Sequence, residues 1–229
     1  MALRQVKELI KKKGRSILTE SESKDLLAKA GMPVVETRVA GNKEEAVVIS
    51  REIGFPVAIK INSPDIVHKS DIGGVKLGLA TSAAVERAYD QIMATVEMRV
   101  PTARIHGVTV QKMAPSGIET IIGVAKDLTF GHVVMFGLGG VFVEVLKDVA
   151  FRIIPVTKMD VNEMIEERKG YPLLHGYRGH EPANIDALAQ LILNISDFVH
   201  TNPQVKEIDL NPVIACADQV IVVDARILF

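Results

Sequence analysis

Glu207-Ile208-Asp209-Leu210-Asn211-Pro212, followed after a short gap by Val222-Val223-Asp224-Ala225-Arg226, sets both the strand pattern and the chemistry of the C-terminal half. In an extended strand alternate side chains share one face. Glu207, Asp209 and Asn211 therefore point together, and Asp224 on the next strand can face them. The result is a cluster of hard oxygen ligands. Mg²⁺ favours a few carboxylate or carbonyl oxygens completed by phosphate and water over an all-protein cage, and a strand prone to burial carries aligned polar side chains only when something satisfies them. A solvated edge strand would show the same alternation.

A second chemical cluster lies upstream. Pro56-Val57-Ala58-Ile59-Lys60 ends an apolar strand on one cation, and a buried lysine needs a counter-charge or water; a phosphate would serve. Asp71-Ile72-Gly73-Gly74-Val75-Lys76 then puts two glycines at a turn into a strand, where N–H groups can approach phosphate oxygens with no Cβ in the way. A plain hairpin would use the same pair. Between the two lies Ser63–Asp71, a polar loop containing His68. Most loop histidines are simply solvated, but His68 sits between two candidate phosphate contacts and imidazole is a competent nucleophile toward phosphorus. His106, His132, His175, His180 and His200 show no metal-ligand spacing.

Further on, Val110-Gln111-Lys112-Met113-Ala114-Pro115 leads a strand into a bend whose backbone groups can meet an adenine edge, with Met113 padding its face. Glu119 can accept from ribose hydroxyls or be an ordinary exposed strand residue. Phe136-Gly137-Leu138-Gly139-Gly140, with Glu144 beyond it, reads as a tight hairpin or a second phosphate loop.

Composition narrows the classes. The 229 residues, 48% hydrophobic and 24% charged, suffice for a full core in one large domain or two small ones. A net charge of -1, no Trp and 4% aromatics argue against nucleic acid or an anionic membrane as partner. The lone Cys216 and an N-terminus without an apolar leader point to the cytoplasm, and no stretch is long and uncharged enough to span a bilayer.

N-cap residues with a carboxylate three positions on, Thr19/Glu22, Asn42/Glu45 and Asp160/Glu163, mark helix starts, and Gly31, Gly54 and Gly170 mark stops. Helices are expected near 4–13, 20–30, 43–53, 83–98, 161–169 and 184–200. The apolar stripe of the last is a core face. Runs rich in β-branched residues predict strands at 34–39, 57–61, 75–80, 108–113, 119–125, 133–136, 141–145, 151–154, 207–210 and 220–224. Strands arrive in groups rather than in strict alternation with helices, which predicts an α+β arrangement of two lobes, 1–107 and 108–229.

Taken together, Pro56–Lys60, His68–Lys76, Val110–Gly123, Phe136–Pro155, Gly176–Gly179 and Glu207–Pro212 with Asp224–Arg226 resemble, in colinear order over nearly the whole chain, the ATP-grasp β subunit of ADP-forming acetyl-CoA synthetase. A more distant similarity runs to the β subunit of succinyl-CoA synthetase. The resemblance implies a two-lobed ATP-grasp fold with nucleotide between the lobes. It also implies a CoA-binding α subunit as partner, with acyl-CoA reaching the reaction through it, in an α2β2 heterotetramer. This sequence has no convincing Gly-x-Gly-x-x-Gly unit for CoA.

By the same resemblance Lys60 holds the α/β phosphates and Gly73 and Gly74 lie near the terminal phosphate. Gln111, Lys112 and Met113 line adenine, Glu119 meets the ribose, and Asp209, Asn211 and Asp224 hold Mg²⁺. His68 carries phosphate from a partner phosphohistidine to ADP, giving ATP. Gln111 departs from the Glu often found at the ATP-grasp hinge, and Arg152 and Arg178 suit anion or subunit contacts or surface salt bridges. Two other classes fit parts of the pattern. A stand-alone ATP-grasp carboxylate ligase would not need His68. A noncatalytic nucleotide-binding module of an acyltransferase would not need the full set of Lys60, His68, Asp209 and Asn211.

Overall fold

The computed structural model describes residues 16–66, 68–140, 143, 145–177 and 181–229. The helix expected near 4–13, Val67, Glu144, Arg178, Gly179 and His180 lie outside the described residues. Val143 and Val145, expected within a strand, are not in one.

Capping fixes the helix starts. Helix α1 (Glu20–Lys29) opens on a reciprocal box, Thr19 N–H donating to the Glu22 carboxylate at 2.8 Å and Glu22 N–H to Thr19 Oγ1 at 3.4 Å. Helix α2 (Lys43–Ile53) begins where Asn42 Oδ1 accepts from Glu45 N–H at 2.8 Å and stops at Gly54. The box expected at Asp160/Glu163 lies one turn earlier. Thr157 is the N-cap of a helix over Lys158–Glu166, and Asp160 is its third residue, accepting from Thr157 N–H at 2.8 Å. Gly170 does not act as a stop; with φ −80° it caps the start of a short helix, Tyr171–Leu174.

The smaller of two compact units comprises Thr19–Glu22 and Val35–Met113. Its antiparallel sheet has the order β1-β4-β2-β3, with β1 Thr37–Ala40, β2 Val57–Ile61, β3 Val75–Leu79 and β4 Val108–Lys112. Helices α2 and α3 (Ser82–Arg99) pack on it. Every residue of β2 is buried, the strand lying between β4 and β3 with α3 packed against it. By its contacts this unit runs to Met113, whereas the sequence division was placed at 107/108: β4 is sandwiched between β1 and β2, which draws 108–113 in.

The larger unit includes 16–18, Ser23–Val34 and Ala114–Phe229. Its antiparallel sheet runs β10-β8-β5-β6-β7, with β9 pairing farther along β8. The strands are β5 Ile118–Asp127, β6 Gly131–Leu138, β7 Val149–Ile153, β8 Glu207–Ala215, β9 Val220–Val222 and β10 Ala225–Leu228. The expected strand at 220–224 is thus the start of two, broken at Val223-Asp224. Helices α4 (Lys158–Glu166), α5 (Tyr171–Leu174) and α6 (Ile185–His200) complete the unit. The α6 stripe predicted to be core is core: Leu188, Leu191, Ile192, Ile195, Phe198 and Val199 are buried in one cluster with Ile122, Val134, Phe136, Ile208 and Leu210.

Gly107 makes a tight backbone approach. Its φ is +90°, and a Cβ there would lie 2.0 Å from the Ala40 carbonyl oxygen. Strain and clash together should cost Gly107→Ala about 2–4 kcal/mol. Denaturant unfolding with wild-type stability would contradict this geometry.

Candidate functional site

Strand β8 alternates as its sequence requires. Ile208 and Leu210 are buried, Asp209 and Asn211 are exposed, and Glu207 is half-buried. In the ladder Asp209 pairs with Arg226 of β10 and with Gly123 of β5. Val223 N–H donates to the Pro212 carbonyl at 3.0 Å, continuing the β8/β10 register so that Asp224 falls opposite Asn211. Asp209, Asn211 and Asp224 are therefore neighbours on one sheet end, as the strand reading required. Two carboxylates and an amide oxygen suit Mg²⁺, which keeps water and phosphate in its other positions. Among the described residues no three His, Cys, Asp or Glu side chains form a protein-only metal cage.

The same sheet face continues as an apolar floor. Gly123 pairs with Met135, and Met135 with Phe151. With Val133, Ala125, Glu207 and Asp209 these line a cavity of about 490 Å³.

In the smaller unit Lys60 is only 5% exposed. The counter-charge its burial demanded is present: Nζ donates to Glu20 Oε1 at 2.7 Å, and Glu20 is itself buried. The other carboxylate oxygen of Glu20 accepts from Lys69 Nζ, the neighbour of His68 in the chain. His68 is exposed. The loop around it is tied on both sides. Before it, Asp65 accepts from the Arg104 backbone N–H at 2.8 Å and from its guanidinium at 2.6 and 3.0 Å, and this guanidinium holds the Asp65 carboxyl well below the usual carboxylate range. Ile66 is buried in the unit's core. After it, Arg99 donates to the Asp71 carbonyl at 2.9 Å.

The Gly73-Gly74 turn is positioned as predicted but its donors are engaged. Gly73 N–H bonds the Ser70 carbonyl at 3.0 Å and Gly74 N–H the Lys69 carbonyl at 2.8 Å. A Cβ on Gly74 would lie 2.7 Å from Ile61 Cγ2. In this arrangement the glycines serve close packing of the turn on β2, and these N–H groups are not turned toward a ligand.

Gln111, Lys112 and Met113, expected to line adenine, lie at the end of β4. Gln111, in mid-ladder, is buried, so its side chain is not on a surface that meets solvent. Lys112 turns its ammonium to the last carbonyls of α2, Ile53 and Gly54, both at 3.3 Å, where a cation complements the helix terminus. Its N–H donates to the Glu36 carbonyl and that of Met113 to the Pro56 carbonyl. Met113 Sδ accepts from Gly78 N–H at 3.4 Å. Glu119 belongs to the other unit and is exposed on β5. A Cβ on Gly139 would lie 2.9 Å from Glu119 Cβ, so glycine there lets the turn after β6 pass over Glu119. Arg152 forms a salt bridge with Glu167 at 3.0 Å, which raises its pKa and accounts for one of the two arginines singled out.

Sequence reasoning missed Glu20 and Lys69. Glu20 stands in the first turn of a helix, where an acid is explained by the helix dipole alone. Only its burial shows that it does more. Two lysines separated from it by about 40 and 50 positions give no local sequence signal.

The smaller unit thus holds a buried strand lysine, and the larger, taken by itself, an acid-rich strand end. An ATP-grasp domain model matches residues 9–229, and the chain belongs to that family. Within it, the chain belongs with the β subunits of ADP-forming acetate–CoA ligases. It is 49% identical over 211 residues to the β subunit of the ADP-forming acetate–CoA ligase I of Pyrococcus furiosus, covering 92% of this chain and 91% of that one. It is 45% identical over 223 residues to the ADP-forming acetate–CoA ligase I of Archaeoglobus fulgidus, covering 97% of this chain but 32% of that protein. Among solved structures it matches the dinucleotide-forming acetyl-coenzyme A synthetase 1 of Ca. Korarchaeum cryptofilum, in complex with coenzyme A and Ca-AMPCP, with TM-score 0.96, 47% identity and 99% coverage of both chains. Another structure of that synthetase holds Mg-AMPPCP, with its phosphohistidine segment pointing towards the nucleotide binding site (TM-score 0.86, 44% identity, 99% of both chains). Among the described residues no helix is long and apolar enough to cross a membrane.

Proposed function

We propose that this chain is the nucleotide-binding β subunit of an ADP-forming acetate–CoA ligase, catalysing with a CoA-binding α subunit the reversible reaction acetyl-CoA + ADP + phosphate = acetate + ATP + CoA, in the cytoplasm. The observation that carries the reading is His68: exposed, on a loop anchored on both sides, and joined through Lys69 and Glu20 to Lys60. A stand-alone carboxylate ligase would have no use for it.

On the partner, phosphate displaces CoA from the acyl group, and the acyl phosphate passes its phosphoryl group to a partner histidine, releasing acetate. An imidazole nitrogen of His68 attacks that phosphorus, the P–N bond to the partner breaks, and a phosphohistidine forms at His68. The β-phosphate oxygen of ADP then attacks, the new P–N bond breaks, and ATP forms with His68 restored. Such transfer needs in-line positioning and neutralised charge more than covalent help. Lys60 supplies one cation to the nucleotide phosphates. Asp209, Asn211 and Asp224 would hold Mg²⁺, which would supply positive charge to neutralise the phosphates. Glu119 accepts from ribose. Gln111, Lys112 and Met113 contribute the strand along which adenine lies rather than turned-out donors.

Calorimetry of the isolated chain tests the nucleotide half. ADP should bind with Mg²⁺ and much more weakly without it, and Lys60→Ala should weaken binding about 10- to 100-fold, the worth of a charge-assisted contact. Equal affinity with and without Mg²⁺, or in a folded Lys60→Ala chain, would remove Lys60 and the acid cluster from the site.

A further inference from the structure

Glu20 joins the two parts of the smaller unit that the proposed transfer must coordinate. Its side chain is 2% exposed, its Oε1 lies 2.7 Å from Lys60 Nζ, and its Oε2 lies 2.5 Å from Lys69 Nζ. Lys60 is on the central strand β2 and is itself buried. Lys69 is the residue after His68, and its side chain is 14% exposed. Helix capping does not explain this arrangement, because the box at this helix start is made by Thr19 and Glu22. A buried carboxylate held by two ammonium groups is fixed in place, since charge-assisted bonds of this kind lose most of their worth if either partner drifts.

We propose that Glu20 is a positioning residue for phosphoryl transfer, one carboxylate that sets the Lys60 ammonium and, through Lys69, the seat of the His68 loop. The inference rests on the function proposed above. Glu20 touches neither nucleotide nor phosphate in this role. It fixes where one cation stands relative to the loop that delivers the phosphoryl group. Two interactions converging on one carboxylate have a distinctive consequence: removing Lys69 and neutralising Glu20 disturb the same contact, so their effects on transfer cannot be independent.

The test uses the complete two-subunit complex with wild type, Lys69→Met, Glu20→Gln and the double variant, measuring kcat and KM for ADP in ATP formation together with Tm. Lys69 is less buried than Glu20, and Lys69→Met leaves the Glu20–Lys60 pair in place, so this variant keeps the test valid even where Glu20→Gln loses stability. Lys69→Met should lower kcat about 10-fold or more while KM for ADP stays within about 2-fold, since Lys60 and the nucleotide contacts are untouched. Glu20→Gln should lower kcat at least as far and also raise KM for ADP, because the Lys60 ammonium loses the negative charge that fixes it. The double variant should be no slower than Glu20→Gln alone. Wild-type kcat in a folded Lys69→Met complex would overturn the proposal, and so would losses that multiply in the double variant, or a Lys69→Met effect confined to Tm. Failure of the wild-type complex itself to form ATP would instead refute the proposed function.

Discussion

His68→Ala is expected to abolish ATP formation by the complete complex while leaving ADP affinity within about 2-fold. The imidazole is the only group on its loop assigned to form a bond to phosphorus, and no positioning effect substitutes for a missing nucleophile. Nucleotide affinity survives because Lys60, Asp209, Asn211 and Asp224 lie on strands or strand ends that do not depend on this exposed side chain. Stability should change by less than about 0.5 kcal/mol, as for other surface substitutions. ATP synthesis at an appreciable rate in a purified His68→Ala complex would eliminate the phosphohistidine relay and favour a ligase that works through acyl phosphate alone.

The isolated chain is expected to bind ADP and yet form no ATP from acetyl-CoA, phosphate and ADP, with turnover restored when the CoA-binding subunit is added. The phosphate and metal contacts are proposed for residues of this chain, whereas its sequence has no convincing Gly-x-Gly-x-x-Gly unit for CoA. The Archaeoglobus fulgidus relative, of which this chain spans 32%, has room for that machinery in one polypeptide. A phosphohistidine also needs shelter from water as it moves, which favours a stable complex. Two α and two β chains are the arrangement expected from the prevalence of two-fold symmetry, and sedimentation of the reconstituted complex measures it. Robust synthesis by the chain alone, shown free of other subunits by mass spectrometry, would contradict the division of labour.

Much of this was legible in the sequence because it is local. Period-two alternation put Asp209 and Asn211 on one face of β8, and Asp224 was expected to face them, although the break at Val223-Asp224 that splits the expected 220–224 strand was not foreseen. Asn42 and Gly54 bounded α2 to the residue. The buried Lys60 was visible as a cation ending an apolar run. Its partner was not, since Glu20 lies 40 residues away and looks like an ordinary first-turn acid. The Gly73-Gly74 turn was recognisable, but whether its N–H groups face a ligand or the chain depends on Ser70 and Lys69 closing the turn with their carbonyls. That β4 has neighbours on both sides, which buries Gln111, could not be read from its own run, since pairing between distant strands leaves no mark on a single segment. The same pairing carried 108–113 into the smaller unit.

Following a single phosphoryl group tests the central claim most directly. The complex is incubated with acetyl-CoA and radiolabelled phosphate in the absence of nucleotide, and this chain is isolated, digested and sequenced by mass spectrometry. ADP with Mg²⁺ is added to a parallel sample. The expected result is an acid-labile, base-stable label on the peptide containing His68, lost on addition of ADP in step with the appearance of labelled ATP. Label on any other residue of this chain, or labelled ATP formed without passage of label through His68, would contradict it.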